Sequence, residues 1–379
     1  MANTDHVNDL RVATTGSMKV VEAVSRAASL AGIKIVYILL KFPLIYSTST
    51  GSCSQKSSEE WSTSESSSDY LPSSIPSSDS GKSVFSSARE KNVLRDSMLE
   101  LMKRDTMLFL GVPQNMFFVV ERLAARLPSR YAYLEVMITL RKLKLMESHK
   151  LLGYYFGFGK GKISKIFRET LPTISECFKE LIYTPERQNI ALNLPMAFRY
   201  EYFDTTDVVD AFEIQVQKPS NAKFQMLTFS AYKVCNTVKY IVNITADGFI
   251  TFVSKGYGGR ISDVALCQAS GYLDTLRPGG KLLADRGFKH LDMVLTTHGV
   301  TLVRPPSIKN KEPMSNKECS DTKKIAALRI HVERAIGRLR CFAFIAPHST
   351  VPVPMIPLLD MAVIVACGLT NLAPLLIRV

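Results

Sequence analysis

The sequence predicts a mixed-sheet α/β domain preceded by an all-α segment, and three observations carry the prediction. Apolar residues recur at spacings of three and four over 88–184, as in helices. From about Thr205 the period shortens to two, and Ala246-Asp247-Gly248 separates two strand-like runs as a hairpin turn would. Short strands then alternate with helices to the C-terminus, a pattern that builds a sheet with helices on its faces.

The first 87 residues stand apart. Over 47–87, 19 residues are Ser, with Thr, Asp, Glu and Pro between them. Such a segment buries too little apolar surface to offset its ordering entropy and is expected to be a disordered linker. It leaves 1–46 as an unassigned tail without a readable motif. Within that tail, 28–45 is the most membrane-like stretch, yet Lys34 and Lys41 interrupt it and a spanning helix needs about 20 apolar residues. No membrane association is expected.

In 88–190, Val93, Leu94, Met98, Leu101 and Met102 fall on one helical face, and so do Leu134, Met137, Ile138, Leu140 and Leu143. Ser148 is placed to cap a helix ending near Phe156, and Gly157-Phe158-Gly159 makes a turn. A second helix is expected over 160–171, burying Ile163, Ile166, Phe167 and Thr170 and turning out Lys160, Lys162, Lys165 and Arg168. Between Arg141 and Arg168 there are 8 Lys+Arg and one acid, Glu147. A basic second helix after a glycine turn suits phosphate or major-groove docking, although a solvated helical hairpin would look the same. A phosphate-loop reading fails, because Phe158 stands where Gly-Lys-Ser/Thr would have to begin.

Strands are expected over 208–219, 238–245, 249–254, 281–284 and 300–303. A helix from Asp321 then carries the apolar stripe Ile325, Leu328, Val332, Ile336 and Leu339, and another follows Pro357.

Charge and cysteine usage narrow the partners. With 47 Lys+Arg against 34 Asp+Glu the net charge is +13. From Asp285 to Arg340 there are 12 basic and 6 acidic residues, so the excess concentrates there and in 141–168. The natural partner of such surfaces is a nucleic acid. Seven dispersed cysteines form no Cys-x-x-Cys and the histidines no zinc-ligand spacing, which excludes a zinc finger and fits a reducing compartment.

Three acids stand out by position. Asp210 interrupts an apolar strand, Asp285 follows directly on the strand 281–284, and Glu333 flanks the apolar stripe of the late helix. Carboxylates converging on one rim of a sheet repel unless a cation joins them, and hard oxygen ligands suit Mg²⁺. Two such ions about 3.5–4 Å apart would support phosphodiester cleavage. Asp263 and Glu213 compete for the same role. The plainer account of a lone acid after a strand is a helix cap or turn residue, and of Glu333 a surface ion pair with Arg329 or Arg338. His331, two residues from Glu333, reads as structural, and His290 and His298 have no arguable partner.

The motifs Tyr257-Gly258-Gly259-Arg260-Ile261-Ser262-Asp263, Leu283-Ala284-Asp285-Arg286-Gly287-Phe288 and Arg329-Ile330-His331-Val332-Glu333-Arg334 occur in that order. With Asp210-x-x-Glu213-Ile214, Pro219-Ser220, Ser230-x-Tyr232-Lys233-x-x-Asn236-Thr237-x-Lys239 and Asn371-Leu372, they resemble the PIF/Harbinger class of DDE transposases and the nucleases derived from them. The segment 152–167 is similar to that family's helix-turn-helix. The resemblance runs from about Tyr131 to the C-terminus. It implies a ribonuclease-H-like fold over 200–379, and Asp210, Asp285 and Glu333 as a triad binding divalent Mg²⁺ or Mn²⁺. It also implies metal-dependent endonuclease cleavage of DNA, with strand transfer as a further step.

Asp210 would bridge both ions, and Arg286, Arg329 and Arg334 would contact phosphate or orient the acids. Targeting would be weak or supplied by a separate DNA-binding protein, since no zinc-binding recognition module precedes the catalytic part. The chain would act as a homo-oligomer in the nucleus. Phe212 stands where the family usually has a small hydroxyl residue, and a ring there is expected to disturb the metal-binding strand. Gly280 replaces a usual Asp. The alternative is a domesticated, non-cleaving DNA-binding or interaction protein on the same scaffold. An RNA-directed module finds no aromatic-basic strand surface in the sequence.

Overall fold

The computed structural model describes residues 88–306, 315–374 and 376. The tail 1–46 and the Ser-rich segment 47–87 lie outside the described residues.

Seven helices precede the sheet: α1 (Ala88–Arg104), α2 (Thr106–Leu110), α3 (Phe118–Ala124), α4 (Ala132–Leu145), α5 (His149–Phe156), α6 (Lys160–Lys179) and α7 (Arg187–Leu192). Ser148 Oγ accepts from the Leu151 amide at 3.1 Å and caps α5. The left-handed Gly157 closes that helix at φ 73°. Ile163, Ile166, Phe167 and Thr170 are buried, as their spacing predicted. The helix, however, continues past Leu171 to Lys179 through Pro172. Ile174 and Phe178 extend its buried face, and that packing outweighs the backbone hydrogen bond proline removes.

The sheet contains β1 (Thr205–Gln215), β2 (Phe229–Ser230), β3 (Cys235–Ile244), β4 (Ile250–Val253), β5 (Tyr257–Gly258), β6 (Lys281–Leu283) and β7 (Thr301–Val303). It is a curled mixed sheet in the order β2-β3-β1-β6-β7, with β4 and β5 also paired to β3. The β1–β3 pair is antiparallel, whereas β1–β6 and β6–β7 are parallel. Three short helices, α8 (Ala222–Thr228), α9 (Asp263–Ala269) and α10 (Asp292–Thr297), lie between strands, and α11 (Asn316–Leu339) and α12 (Leu359–Leu372) complete the chain. The first strand begins three residues earlier than its sequence pattern indicated. The late helix begins at Asn316 instead of Asp321, because Ser315 and Glu318 cap each other's backbone in a reciprocal box.

Phe212 does not disturb β1. Its ring stacks on Tyr240 of β3 at 5.5 Å and 20°, and the pairing register is unbroken from Val208 to Gln215. One continuous buried cluster runs from α1–α6 through the Val208, Phe212 and Ile214 face of β1 to α11 and α12. The opposite face, with Val209 and Ile241, packs on α9 and α10 in a second cluster. The stretch Val353–Leu372 is long and apolar enough to cross a membrane by composition, and 61% of its apolar window is buried inside the protein. Gly368 lets α12 approach α6, since a Cβ there would overlap the Phe178 ring. All six described cysteines are free.

Candidate active site

Parallel pairing of β1 and β6 sets Val208 opposite Leu283. Two residues further along each chain, Asp210 and Asp285 reach the same level at the carboxyl end of β6. Alternation along β1 turns Asp210 toward the face that α11 covers. From α11 the Arg329 guanidinium enters between the two acids. Its Nη1 donates to Asp285 Oδ1 at 3.1 Å, and its Nη2 to Asp210 Oδ2 at 3.4 Å. The side chains of Arg329, Asp210 and Asp285 are 11%, 21% and 50% exposed, so the bridge runs from the interior to the rim.

Burial pushes the Asp210 carboxyl up to about 6, against the opposing pull of Arg329 and the Ala211 amide; the nearby Asp285 and Asp263 raise it further. The Ala211 N–H donates to Asp210 Oδ1 at 2.8 Å. Among the described residues Arg329 Nε is buried without a hydrogen-bond partner, and the guanidinium's hydrogen bonds are those to the two carboxylates.

The structure thus brings two of the three sequence-predicted acids together. Glu333 lies one helical turn beyond Arg329 and is exposed. Among the described residues, no three or more His, Cys, Asp or Glu side chains gather as a metal-ligand group. The donor set nonetheless fits a divalent ion: two carboxylate oxygens already turn toward one positive charge, and Mg²⁺ is commonly held by one or two carboxylates with water and substrate phosphate completing its shell.

The competing acids are engaged elsewhere. Lys239 pairs with Glu213 at 3.4 Å and with Asp263 at 3.3 Å, and Thr237 donates to Glu213 at 2.7 Å. Asp263 still borders the site, for its Oδ2 lies 3.1 Å from where a Cβ on Gly287 would stand. Arg286 and Arg334 are exposed beside Asp285 and Glu333 in sequence. His331 packs on Phe198 at 5.5 Å, and burial pushes its imidazole down to about 4. Gly280 lies against Thr206, whose Oγ1 a Cβ would overlap.

On α6, Lys160, Lys162, Lys165 and Arg168 are all exposed. Two of them have protein partners: Lys165 faces Glu169 at 3.8 Å, and Arg168 donates to the Pro354 carbonyl at 3.2 Å.

Sequence reasoning missed a buried polar group on the second face of β1. Asp207 accepts from Asn243 at 2.5 Å, Asn243 donates also to Thr251 at 2.7 Å, and Tyr272 donates to Asn243 Oδ1 at 3.0 Å. Burial pushes the Asp207 carboxyl up. An acid three residues before Asp210 in an apolar strand was the available signal, but its partners come from β3, β4 and the segment after α9.

Residues 209–371, under half of the chain, match the family model described as DDE superfamily endonuclease. No curated protein and no solved structure matches the chain. The matched segment contains Asp210, Asp285 and Glu333 together with the sheet that positions the two aspartates.

Proposed function

We propose that this chain, whose residues 209–371 match the DDE superfamily endonucleases, is a metal-dependent DNA endonuclease of the PIF/Harbinger type, using Asp210, Asp285 and Glu333. The observation that carries the reading is the pair of aspartates from adjacent parallel strands that share one positive charge. A divalent ion held by these aspartates would supply Lewis-acid activation of water and stabilisation of a departing phosphodiester oxygen. Asp210 is the inner, more buried ligand, anchored by the Ala211 amide, and Asp285 is the outer ligand facing the rim. Glu333, exposed one turn beyond Arg329 on the same helix, would be the third ligand. Arg329 orients both aspartates, while the exposed Arg286 and Arg334 would meet phosphates.

The exposed Lys160 and Lys162 on the first turn of α6 extend the basic surface toward DNA, with Lys165 and Arg168 behind them. Nuclear residence follows from a DNA substrate.

A second reading has its own observation. Arg329 bridges Asp210 and Asp285 from within the chain, filling with a guanidinium the place where an ion would be held, which suits a scaffold that binds DNA without cutting it. The test is nicking of supercoiled plasmid in Mg²⁺, Mn²⁺ or EDTA, with Asp285→Asn alongside. Nicking that requires metal and disappears in the variant establishes the endonuclease; DNA binding without nicking in both proteins establishes the non-cleaving scaffold.

A further inference from the structure

Beyond the aspartate pair, a groove lies at the far end of β1. Two cavities of about 730 and 460 Å³ adjoin there and share Phe229 and Arg260 in their walls. Both volumes fall in the range that holds small ligands, about 300–1,000 Å³. One side of the groove is α8, which has no buried residue. It is held through its backbone: Asn236 donates to the Gln225 carbonyl at 2.9 Å, and the Arg260 amide to the Leu227 carbonyl at 3.3 Å. Gly258 and Gly259 permit this contact, because a Cβ on either would overlap Leu227 O or Thr237 Oγ1.

The other side is the β2–β3 hairpin, where the backbone is strained to present a side chain. Val234 sits at φ 56°, a left-handed conformation that a β-branched residue rarely adopts, and is 76% exposed. Its amide donates to the Ser230 carbonyl at 2.8 Å, closing the tight loop that projects Tyr232 at 83% exposure. Lys233 Nζ stands 4.5 Å from the Tyr232 ring centre. Phe229 is also exposed, as are Lys218 and Arg260 along the groove. Among the described residues, Lys218, Lys233 and Arg260 form no ion pair with a carboxylate.

The inner end of the groove is Lys239, which bonds Asp263, and Asp263 borders Gly287 two residues from Asp285. The groove therefore leads toward the aspartate pair.

We propose that this groove binds a single strand of DNA, with unpaired bases stacking on Phe229 and Tyr232 and phosphates lying on Lys218, Lys233 and Arg260. Exposed rings beside unpaired cations, an aromatic-basic surface that the sequence pattern did not reveal, complement a polyanion whose bases have free faces. In a duplex both faces of each base are covered by neighbours, so the rings would gain nothing from it. The inference deepens the endonuclease reading and rests on DNA being the substrate. A strand held here would be the unpaired flank of a DNA end positioned at Asp210 and Asp285.

The test is fluorescence anisotropy in EDTA with a labelled oligothymidine of about 12 nucleotides, a length within known single-strand site sizes, and a duplex of equal length. Wild type is compared with Tyr232→Ala, Phe229→Ala, Lys233→Gln and Arg260→Gln. These side chains are exposed, and an unchanged thermal midpoint checks the fold of each variant. Each aromatic variant is expected to bind oligothymidine roughly ten-fold more weakly while its duplex affinity is unchanged. Each charge variant is expected to reduce the slope of log K against log salt by about 0.7.

Aromatic variants that bind oligothymidine like wild type overturn the proposal. So does a groove whose variants abolish self-association in sedimentation and leave oligothymidine binding intact, which would make it a protein interface. Plasmid nicking is read separately. Nicking lost in Asp285→Asn together with unaltered oligothymidine binding in the aromatic variants removes the groove alone. Groove-dependent binding without nicking removes the nuclease alone.

Discussion

Replacing Arg329 by Gln removes the positive charge between Asp210 and Asp285 and leaves a shorter, polar side chain. Breaking a fully buried ion pair from one side costs about 3–5 kcal/mol, and an exposed pair about 0–1 kcal/mol. Asp210 is near the buried limit and Asp285, half exposed, near the other. The expected loss is therefore about 2 kcal/mol, almost all of it from Asp210. For a fold of this size that lowers the thermal midpoint by about 3 °C.

The assay is thermal unfolding of wild type and Arg329→Gln in EDTA and in Mn²⁺. In EDTA the variant is expected to unfold earlier. In Mn²⁺ the variant should gain more stability than wild type, because a bound ion must share or displace the guanidinium in wild type and meets open carboxylates in the variant. Asp210→Asn should abolish the Mn²⁺ response. Equal midpoints for wild type and Arg329→Gln in EDTA would refute the bridge, and an unchanged Mn²⁺ response in Asp210→Asn would refute the aspartates as ligands.

Three other outcomes are expected. Asp210, raised to about 6 by burial, holds its proton more tightly in the folded than in the unfolded chain, whose ordinary value is about 3.9. Its contribution is fully present below pH ~4 and is lost as pH rises through ~6, about 3 kcal/mol in all, so urea midpoints in EDTA should fall from pH 4.5 to 7 less steeply in Asp210→Asn than in wild type. Asn371 bonds the Ile250 amide and carbonyl at 2.8 Å each and the Leu181 carbonyl at 2.9 Å, so Asn371→Ala should cost about 3 kcal/mol in urea unfolding by stranding buried backbone groups. Gly259→Ala forces a Cβ into Thr237 Oγ1 and to 3.0 Å from the Thr228 carbonyl; a loss of about 1–3 kcal/mol and faster proteolysis within α8 are expected.

The features legible in the sequence are those determined within one turn or one hairpin. Ser148 and Gly157 bound α5 because cap and left-handed conformation are local choices. The stripe Ile325, Leu328, Val332, Ile336 and Leu339 is buried because helical periodicity alone aligns it. The Ala246-Asp247-Gly248 turn likewise needed only its own residues, with Gly248 at φ 93°. Asp210 and Asp285 were visible as acids in apolar surroundings, since an ionisable group beside a core strand is costly without a partner.

Arg286, Arg329 and Arg334 were candidates to orient the acids or contact phosphate, but which of them pairs the two aspartates was not visible. Arg329 lies 44 residues from Asp285 and 119 from Asp210, and one arginine among many carries no local mark of the carboxylates it will meet. The same distance hid the shared core of α6 and α12, the Asp207–Asn243 bond and the role of Asn371. Phe212 was misread for this reason, because whether a ring distorts a strand depends on the neighbour that receives it, here Tyr240 of β3. Local propensity and periodicity are encoded in adjacent residues, whereas charge pairing, close packing and exposure depend on which distant surfaces folding brings within a few ångströms. The tertiary structure alone decides those.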